Sequence, residues 1–182
     1  MRRFEDILDL AADRKGGRSA VLDGIPQPKS ADEIAAIPDD RWLEGMARGL
    51  MQSGLSWKVV ENKWPGIVEA FSGFDVGRCA MMSDDWFDAL VKDTRIIRSP
   101  PKVRAIQQNA VFIQEVAAEA GGFGRKVADW PADDFAGLLM WMKQNGSRLG
   151  GSTGAYLLRY YGKESFVMTR DVVARLVAEG VI

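Results

Sequence analysis

Apolar residues recur at three- and four-residue spacing along nearly the whole chain, and no stretch of useful length alternates apolar with polar residues. The clearest stripe consists of Val103, Ile106, Ala110, Ile113 and Ala117. This spacing places side chains on one face of a helix, whereas a half-buried strand requires a period of two. The sequence therefore predicts an all-α fold, and it contains no internal repeat and no low-complexity segment.

Residues that typically begin and interrupt helices stand where these stripes start and stop. Ser30–Glu33 reads as a capping box, and Thr169 is placed to cap the last helix. We expect Asp39 or Asp40 to cap the helix that follows them. We also expect Pro65 to kink or break the helix that begins near Ser56, because proline removes a backbone hydrogen bond.

The composition excludes several kinds of chemistry. The 182 residues include one cysteine, Cys79, and no histidine, so an internal disulfide, a serine–histidine triad and nearly every zinc site are ruled out. We expect no cofactor and no metal. The net charge of −1 provides no global attraction to nucleic acid, so any DNA binding requires a local patch. No apolar run approaches the roughly 20 residues that span a bilayer, and we expect a cytoplasmic protein.

A glycine-rich turn, residues 145–153, joins two predicted helices. Its glycines permit positive φ and close approach of another molecule. The second helix presents free backbone N–H groups at Gly151–Thr153, and a DNA phosphate suits them because the helix dipole also favours an anion. Arg148 adds positive charge. A plain αα-corner with a glycine cap has the same sequence pattern, so the turn alone does not decide.

Four segments resemble, in order and spacing, motifs of the DNA-3-methyladenine glycosylase I family. They are Gln52–Trp57, Phe71–Asp75, Ile96–Ala110 and Gly151–Tyr156. The family motifs are Gln-Ala-Gly-Leu-Ser-Trp, Phe-x-x-Phe-Asp, Ile-Ile-Arg-x-x-x-Lys-Ile-x-Ala-x-x-x-Asn-Ala and Gly-Thr-Thr-x-x-Tyr. The resemblance extends roughly from Gly49 to Arg175 and fades towards the N-terminus.

The resemblance implies a helix-hairpin-helix DNA glycosylase fold, with two helical lobes around a cleft. One domain would span residues 1–182, with one lobe at about 40–165, the hairpin at 135–162, and a second lobe from 1–39 plus 166–182. The implied partner is double-stranded DNA that contains alkylated bases. The implied reaction is hydrolysis of the N-glycosidic bond of a methylated adenine, which must first be extruded from the stack.

The resemblance also assigns a base pocket. Trp57 matches the family's stacking tryptophan, and Gln52, Gly49 and Tyr156 are expected beside it. The alternative for Trp57 is a place in the core, since the chain has six tryptophans.

The expected DNA contacts lie at the hairpin and at the start of the longest helix. They are Arg148, Gly150, Gly151, Ser152, Thr153, Arg98 and Lys102. Arg98 and Lys102 equally fit a solvated helix start. For Asn109, on the same helical face as Lys102, we expect a buried amide that satisfies loop carbonyls.

The chain departs from the family at its pocket glutamate, because Gly49 stands in that position. Glycine in a helix interior costs about 1 kcal/mol relative to alanine. We therefore expect a ligand or a neighbouring helix to press close to Gly49. A glutamate's selectivity for methylated adenine does not carry over.

The cysteines and histidines that hold the family's structural zinc are absent. Asp171 and Arg175 stand in two of those positions, four residues apart on one helix. An exposed pair of this kind contributes about 0.3–0.5 kcal/mol.

Asp171 also resembles the catalytic aspartate of the wider helix-hairpin-helix glycosylase superfamily, which lies near the start of a helix after the hairpin. A carboxylate there stabilises positive charge on the sugar and orients water. The alternative is stabilisation of the first helical turn together with the Arg175 pair.

Three functions follow from these observations. The first is a monofunctional glycosylase in a bacterial-type cytosol or nucleoid. It would act through water rather than through a lysine Schiff base, since residues 152–154 contain no lysine. A cationic base is already a good leaving group, so positioning supplies much of the rate. The second is a lesion-binding protein that has lost catalysis. The third is a helical interaction module without DNA affinity. Protein partners and oligomeric state are not encoded in any motif.

Overall fold

The computed structural model describes residues 2–182, and these form helices without any β-strand. The all-α prediction is confirmed. The helices are α1 Phe4–Lys15, α2 Arg18–Leu22, α3 Ala31–Ala35, α4 Asp39–Gln52, α5 Trp57–Ala70, α6 Val76–Ala80, α7 Asp84–Lys92, α8 Pro100–Ala120, α9 Phe123–Ala128, α10 Phe135–Asn145, α11 Ser152–Tyr160 and α12 Arg170–Ala178. A short 3-10 helix, Ser72–Phe74, follows α5. None of the helices in the described part of the chain is long and apolar enough to cross a membrane.

The chain divides into two compact units. The larger is Pro28–Ser165 and holds α3–α11, while the smaller combines residues up to Gln27 with Phe166–Ile182 and holds α1, α2 and α12.

Helix α8 is the central element of the larger unit and packs against α4, α6, α7 and α9. Four residues of its predicted stripe, Val103, Ile106, Ala110 and Ile113, are fully excluded from solvent, while Ala117 is partly exposed. The Pro100-Pro101 start and the left-handed Gly121 that ends it limit the helix to this apolar stripe. Full burial of a valine or isoleucine side chain contributes about 1.5–3 kcal/mol, so the packing of α8 stabilises the larger unit.

Several caps match the sequence-based predictions. Ser30 and Glu33 form a reciprocal capping box on α3, with Ser30 N–H donating to Glu33 Oε2 at 2.8 Å. The Thr169 hydroxyl accepts from Val172 N–H at 3.2 Å and caps α12.

Two predictions about helix boundaries are wrong. The N-cap of α4 is Pro38, and Asp39 instead accepts from the Phe123 N–H at 2.8 Å, which ties α4 to the start of α9. Helix α5 continues through Pro65 to Ala70, close to the predicted end at Phe71, so a break at the proline is wrong and a kink there stays a prediction. Burial of Trp64 and Ile67 on either side of Pro65 holds the helix together despite the missing donor.

The predicted ion pair between Asp171 and Arg175 is also wrong. In the smaller unit, Arg175 pairs with Glu179, with 2.6 Å between Nη2 and Oε1. Arg2 also faces Glu179, at 3.9 Å. Glutamate has one more methylene than aspartate and lies four residues after the arginine, so its carboxylate reaches the guanidinium more easily.

Candidate functional site

The predicted hairpin is present between α10 and α11. Gly151 adopts φ 62° and ψ −135°, a conformation that only glycine occupies without strain. Arg148 also has a positive φ, 59°, and its side chain is exposed. Positive φ at a non-glycine residue is uncommon, so surrounding contacts must hold this turn in place.

Asn109 provides those contacts. It is fully buried on α8, its Oδ1 accepts from the Ser147 N–H at 2.7 Å, and its Nδ2 donates to the Ser147 carbonyl at 3.1 Å. The neighbouring Leu149 is 1% exposed. The prediction that a buried Asn109 satisfies loop carbonyls is confirmed at the Ser147 carbonyl, and the additional contact to the Ser147 N–H also holds the hairpin against α8.

The start of α11 is open to solvent. Gly151 and Ser152 are exposed, Thr153 is partly exposed, and no side chain caps the first turn. Because the first N–H groups of a helix have no intrahelical acceptor, this end favours an anion. The turn therefore meets the geometric requirement for phosphate contact that the sequence suggested.

Lys102 has a structural role that the sequence did not reveal. Its Nζ donates to the carbonyls of Met51 at 3.2 Å and Ser53 at 2.8 Å, so it binds the C-terminus of α4 to α8. Burial and the nearby positive charge of Arg148 lower the pKa of Lys102. The effect of Arg148 on this pKa indicates that the two side chains lie near each other. Arg98 is exposed just before the start of α8.

Trp57 and Tyr156 form an exposed aromatic pair. They are 60% and 40% exposed, and their rings meet edge to face with centroids 6.4 Å apart. The alternative that placed Trp57 in the core is wrong. Leu55 and Val59 are also exposed, and contiguous exposed apolar groups of this kind mark interaction surfaces. Leu55 follows Gly54, whose φ is +75°, at the turn between α4 and α5.

Gly49 lies against α11. A Cβ atom added to it would stand 3.1 Å from Thr153 Cγ2, tighter than most real contacts. The expectation of a neighbouring helix pressing on Gly49 is confirmed, and the crowding explains why a glycine is tolerated within α4.

Gln52 belongs to a polar network between α4 and α5. Its Nε2 donates to Glu61 Oε1 at 3.0 Å, and Arg48 Nη1 donates to both oxygens of Glu61, at 3.0 and 2.8 Å. Glu61 was missed in the sequence. The signal that identifies it is its position four residues after Trp57, which puts both on one face of α5.

We refer to six neighbouring residues of α4, α5 and α11 as the three-helix site. Helix α4 contributes Gly49 and Gln52, α5 contributes Trp57 and Glu61, and α11 contributes Thr153 and Tyr156. Gly49 lies close to Thr153, Trp57 contacts Tyr156, and Gln52 is hydrogen-bonded to Glu61. The predicted base-pocket residues are therefore brought together within the larger unit, next to the open start of α11.

A cavity of about 400 Å³ lies further towards the N-terminus of α4, and its size falls within the range of small-molecule pockets. Its lining includes Arg41, Glu44, Arg48 and Tyr161, but none of the predicted base-pocket residues. Burial raises the pKa of Tyr161, whose hydroxyl donates to the Arg41 carbonyl. Arg48 lies between this cavity and the three-helix site.

Two further sequence-based expectations concern the location of Asp171 and the binding of metal ions. Asp171 is exposed in the first turn of α12, in the smaller unit. Among residues 2–182, no group of three or more histidine, cysteine, aspartate and glutamate side chains is arranged to hold a metal. Cys79 is buried, and burial raises the pKa of its thiol to about 12, so it remains protonated.

Comparison with known proteins gives one family and several similar structures. Residues 36–134 match the family model described as methyladenine glycosylase. The fold resembles 3-methyladenine DNA glycosylase I from Staphylococcus aureus, with 20% identity, 82% of this chain and 88% of that chain covered, and a TM-score of 0.62. No curated protein sequence matches the chain.

A tyrosine-to-phenylalanine variant of 3-methyladenine DNA glycosylase I in complex with 3-methyladenine has a TM-score of 0.63 at 20% identity, over 86% of this chain and 93% of that chain. A further crystal structure of 3-methyladenine DNA glycosylase I gives 0.58 at 21% identity, over 79% and 85%. The helix-hairpin-helix glycosylase fold expected from the sequence motifs is confirmed by these likenesses.

Proposed function

Because the chain belongs to the methyladenine glycosylase family, we propose that it is a DNA glycosylase that extrudes an alkylated adenine and hydrolyses its N-glycosidic bond. The observation that carries this proposal is the exposed Trp57–Tyr156 pair, which lies one turn of α11 away from the uncapped N–H groups at Ser152 and Thr153. The two parts of such a reaction, holding DNA and receiving a base, then lie next to each other, because Tyr156 of α11 contacts Trp57 of α5.

In the proposed complex, the hairpin binds the phosphodiester backbone. The N–H groups of α11 donate hydrogen bonds to a phosphate, and Arg148 adds a charge-assisted contact beside it. Backbone contacts of this kind fix register without reading sequence, which suits an enzyme that must search any DNA. Lys102 keeps one donor free beyond its two carbonyl partners, so it can still contribute charge at this surface.

The extruded base stacks on Trp57. An indole face offers about 1–3 kcal/mol per stacked base, and Tyr156 limits how the indole turns. Leu55, exposed at the turn before Trp57, is suited to enter the gap left in the duplex, as apolar wedges do in other DNA-bending proteins.

The chemistry requires little from the protein. Water attacks the sugar C1′ as the C1′–N bond breaks, the electron pair of that bond leaves with the base, and the attacking water loses a proton to solvent. A base carrying a methyl-induced positive charge leaves as a neutral molecule, so extrusion and alignment provide much of the rate. Asp171 is our candidate for stabilising the positive sugar, and we propose that the enzyme works in the cytosol at the nucleoid.

The alternative function is lesion binding without catalysis, which the absence of a side chain at Gly49 favours. Duplex DNA treated with a methylating agent is incubated with excess protein, and abasic sites are cleaved by alkali and counted on a gel. A glycosylase creates abasic sites in proportion to protein. A binding protein retains the methylated duplex in a salt-sensitive manner but leaves it uncut, and this result would overturn the proposed enzyme. A protein that neither cleaves nor binds supports an interaction module instead.

A further inference from the structure

The amide of Gln52 has a defined orientation. Its neighbour Glu61 is a carboxylate and therefore only accepts hydrogen bonds, so the Nε2 side of Gln52 must face it. This leaves Oε1 and the second N–H of Nε2 without a partner among the described residues. A neutral acceptor and a neutral donor are thus presented side by side.

Glu61 is itself held in position. Arg48 donates to both of its oxygens, and the guanidinium of Arg48 lies 4.2 Å from the ring centroid of Trp64. Trp64 Nε1–H in turn donates to Glu44 at 2.9 Å, and Glu44 also faces Arg48 at 3.8 Å. Arg48 is only 27% exposed, so its geometry is constrained on several sides.

Trp57 and Glu61 share a face of α5, about 6 Å apart along the helix axis. The free edge of the Gln52 amide is therefore within reach of a purine that stacks on Trp57. Glutamine reads adenine through a bidentate contact, in which its oxygen accepts from the N6 amino group and its nitrogen donates to N7.

We propose that Arg48 and Glu61 act as positioning residues that fix the Gln52 amide to read the N6/N7 edge of the extruded adenine. This inference rests on the proposed function and specifies how its pocket selects a base. In this chain the reading group is an amide on the last turn of α4, while Gly49, crowded by Thr153, contributes no side chain.

The arrangement predicts a particular specificity. A 7-methylguanine presents a carbonyl at C6 and a methyl group at N7, so both contacts to the fixed amide become repulsive. The enzyme should therefore release 3-methyladenine in preference to 7-methylguanine. Because an amide carries no charge, this preference depends on hydrogen-bond geometry rather than on attraction of a cationic base.

A double-mutant cycle tests the relay. Four proteins are compared: wild type, Gln52→Ala, Glu61→Ala and the double variant. Glu69→Ala is the matched control, since Glu69 lies on the same helix, also pairs with an arginine and is more exposed. DNA treated with N-methyl-N-nitrosourea is incubated under single-turnover conditions, and released 3-methyladenine and 7-methylguanine are quantified by chromatography.

We expect Gln52→Ala and Glu61→Ala each to slow 3-methyladenine release by about tenfold or more, in the range of a bidentate base contact. The double variant should be no slower than Gln52→Ala within about twofold, because Glu61 acts through Gln52. Affinity for a duplex with a tetrahydrofuran abasic analogue should remain within about twofold in all variants. A substitution that acted only by disturbing the structure would change this affinity as well.

Multiplied losses in the double variant, or a Glu61→Ala rate equal to that of Glu69→Ala, overturn the inference while leaving the proposed function intact. If wild type releases no base, the proposed function fails and titration calorimetry with free 3-methyladenine decides the inference. Binding that weakens about tenfold in Glu61→Ala supports the relay. No binding to wild type, or unchanged binding, overturns it.

Discussion

Trp57 and Tyr156 meet edge to face at an interplanar angle of 89°, although they belong to different sequence motifs and both remain substantially exposed. Exposed aromatic side chains usually gain little from remaining uncovered. Here the edge of one ring supports the other and leaves an indole face free. This relationship connects the start of α5 with the hairpin helix α11, as the base pocket expected from the sequence motifs requires.

Replacing Trp57 by alanine should reduce base release by about 10- to 100-fold, because a stacking face worth about 1–3 kcal/mol is lost. Phe4→Ala is the control, since Phe4 is similarly exposed but lies in the smaller unit. Single-turnover release from methylated DNA measures both. Equal rates for the two variants would show that the indole does not receive the base.

Reversing the charge at Arg148 should weaken binding to undamaged duplex and reduce the slope of log affinity against log salt by about one. The change should be similar for any DNA sequence, because a phosphate contact carries no sequence information. Titration of a labelled duplex at several salt concentrations measures it. Lys92→Glu, an equal change of charge on α7, should leave the slope unaltered, and a matching decrease there would contradict the hairpin assignment.

The Arg148→Glu variant should also raise the pKa of Lys102. Burial is the larger cause of the lowered pKa of Lys102, and the positive charge of Arg148 is the smaller one. A carboxylate in place of the guanidinium of Arg148 therefore raises the pKa of Lys102. In the wild type the unfolded state binds more protons than the folded state just below the ordinary lysine pKa of 10.5, so Lys102 makes stability rise with pH in that window. NMR titration of the lysine side chain measures the shift. An unchanged or lowered pKa contradicts the proximity of the two groups.

Asp171→Asn separates catalysis from helix stabilisation. A carboxylate that stabilises the sugar cation should, when neutralised, slow base release by about 100-fold or more. Stability should change by less than about 0.5 kcal/mol, because Asp171 is exposed and Arg175 pairs with Glu179 instead. Glu179→Gln is the control, since it removes that ion pair and should leave the release rate unchanged. A small change in rate for both variants would show that Asp171 only stabilises the first turn of its helix.

Periodicity was sufficient to predict the longer helices. The stripe on α8 follows from residues that are close in sequence, because helical spacing alone places them on one face. The short helices α2, α6 and α9, each of five or six residues, carry too few apolar positions to show a period.

The contacts across helices were not predictable in the same way. Asp39 has the features of an N-cap but binds the Phe123 N–H, and Lys102 resembles a free cation but binds two carbonyls at the end of α4. Glu61 had no motif, because its role depends on Arg48 and Gln52 of a neighbouring helix. Each of these depends on how helices pack, which residue spacing does not specify.

The most direct measurement is the identity and amount of base released by the wild-type chain from methylated duplex DNA at an excess of protein. We predict that 3-methyladenine appears in solution in a first-order process and that each released base leaves one alkali-labile site in the strand. Release that never exceeds the spontaneous rate, with the modified bases still in the DNA, would contradict the glycosylase assignment.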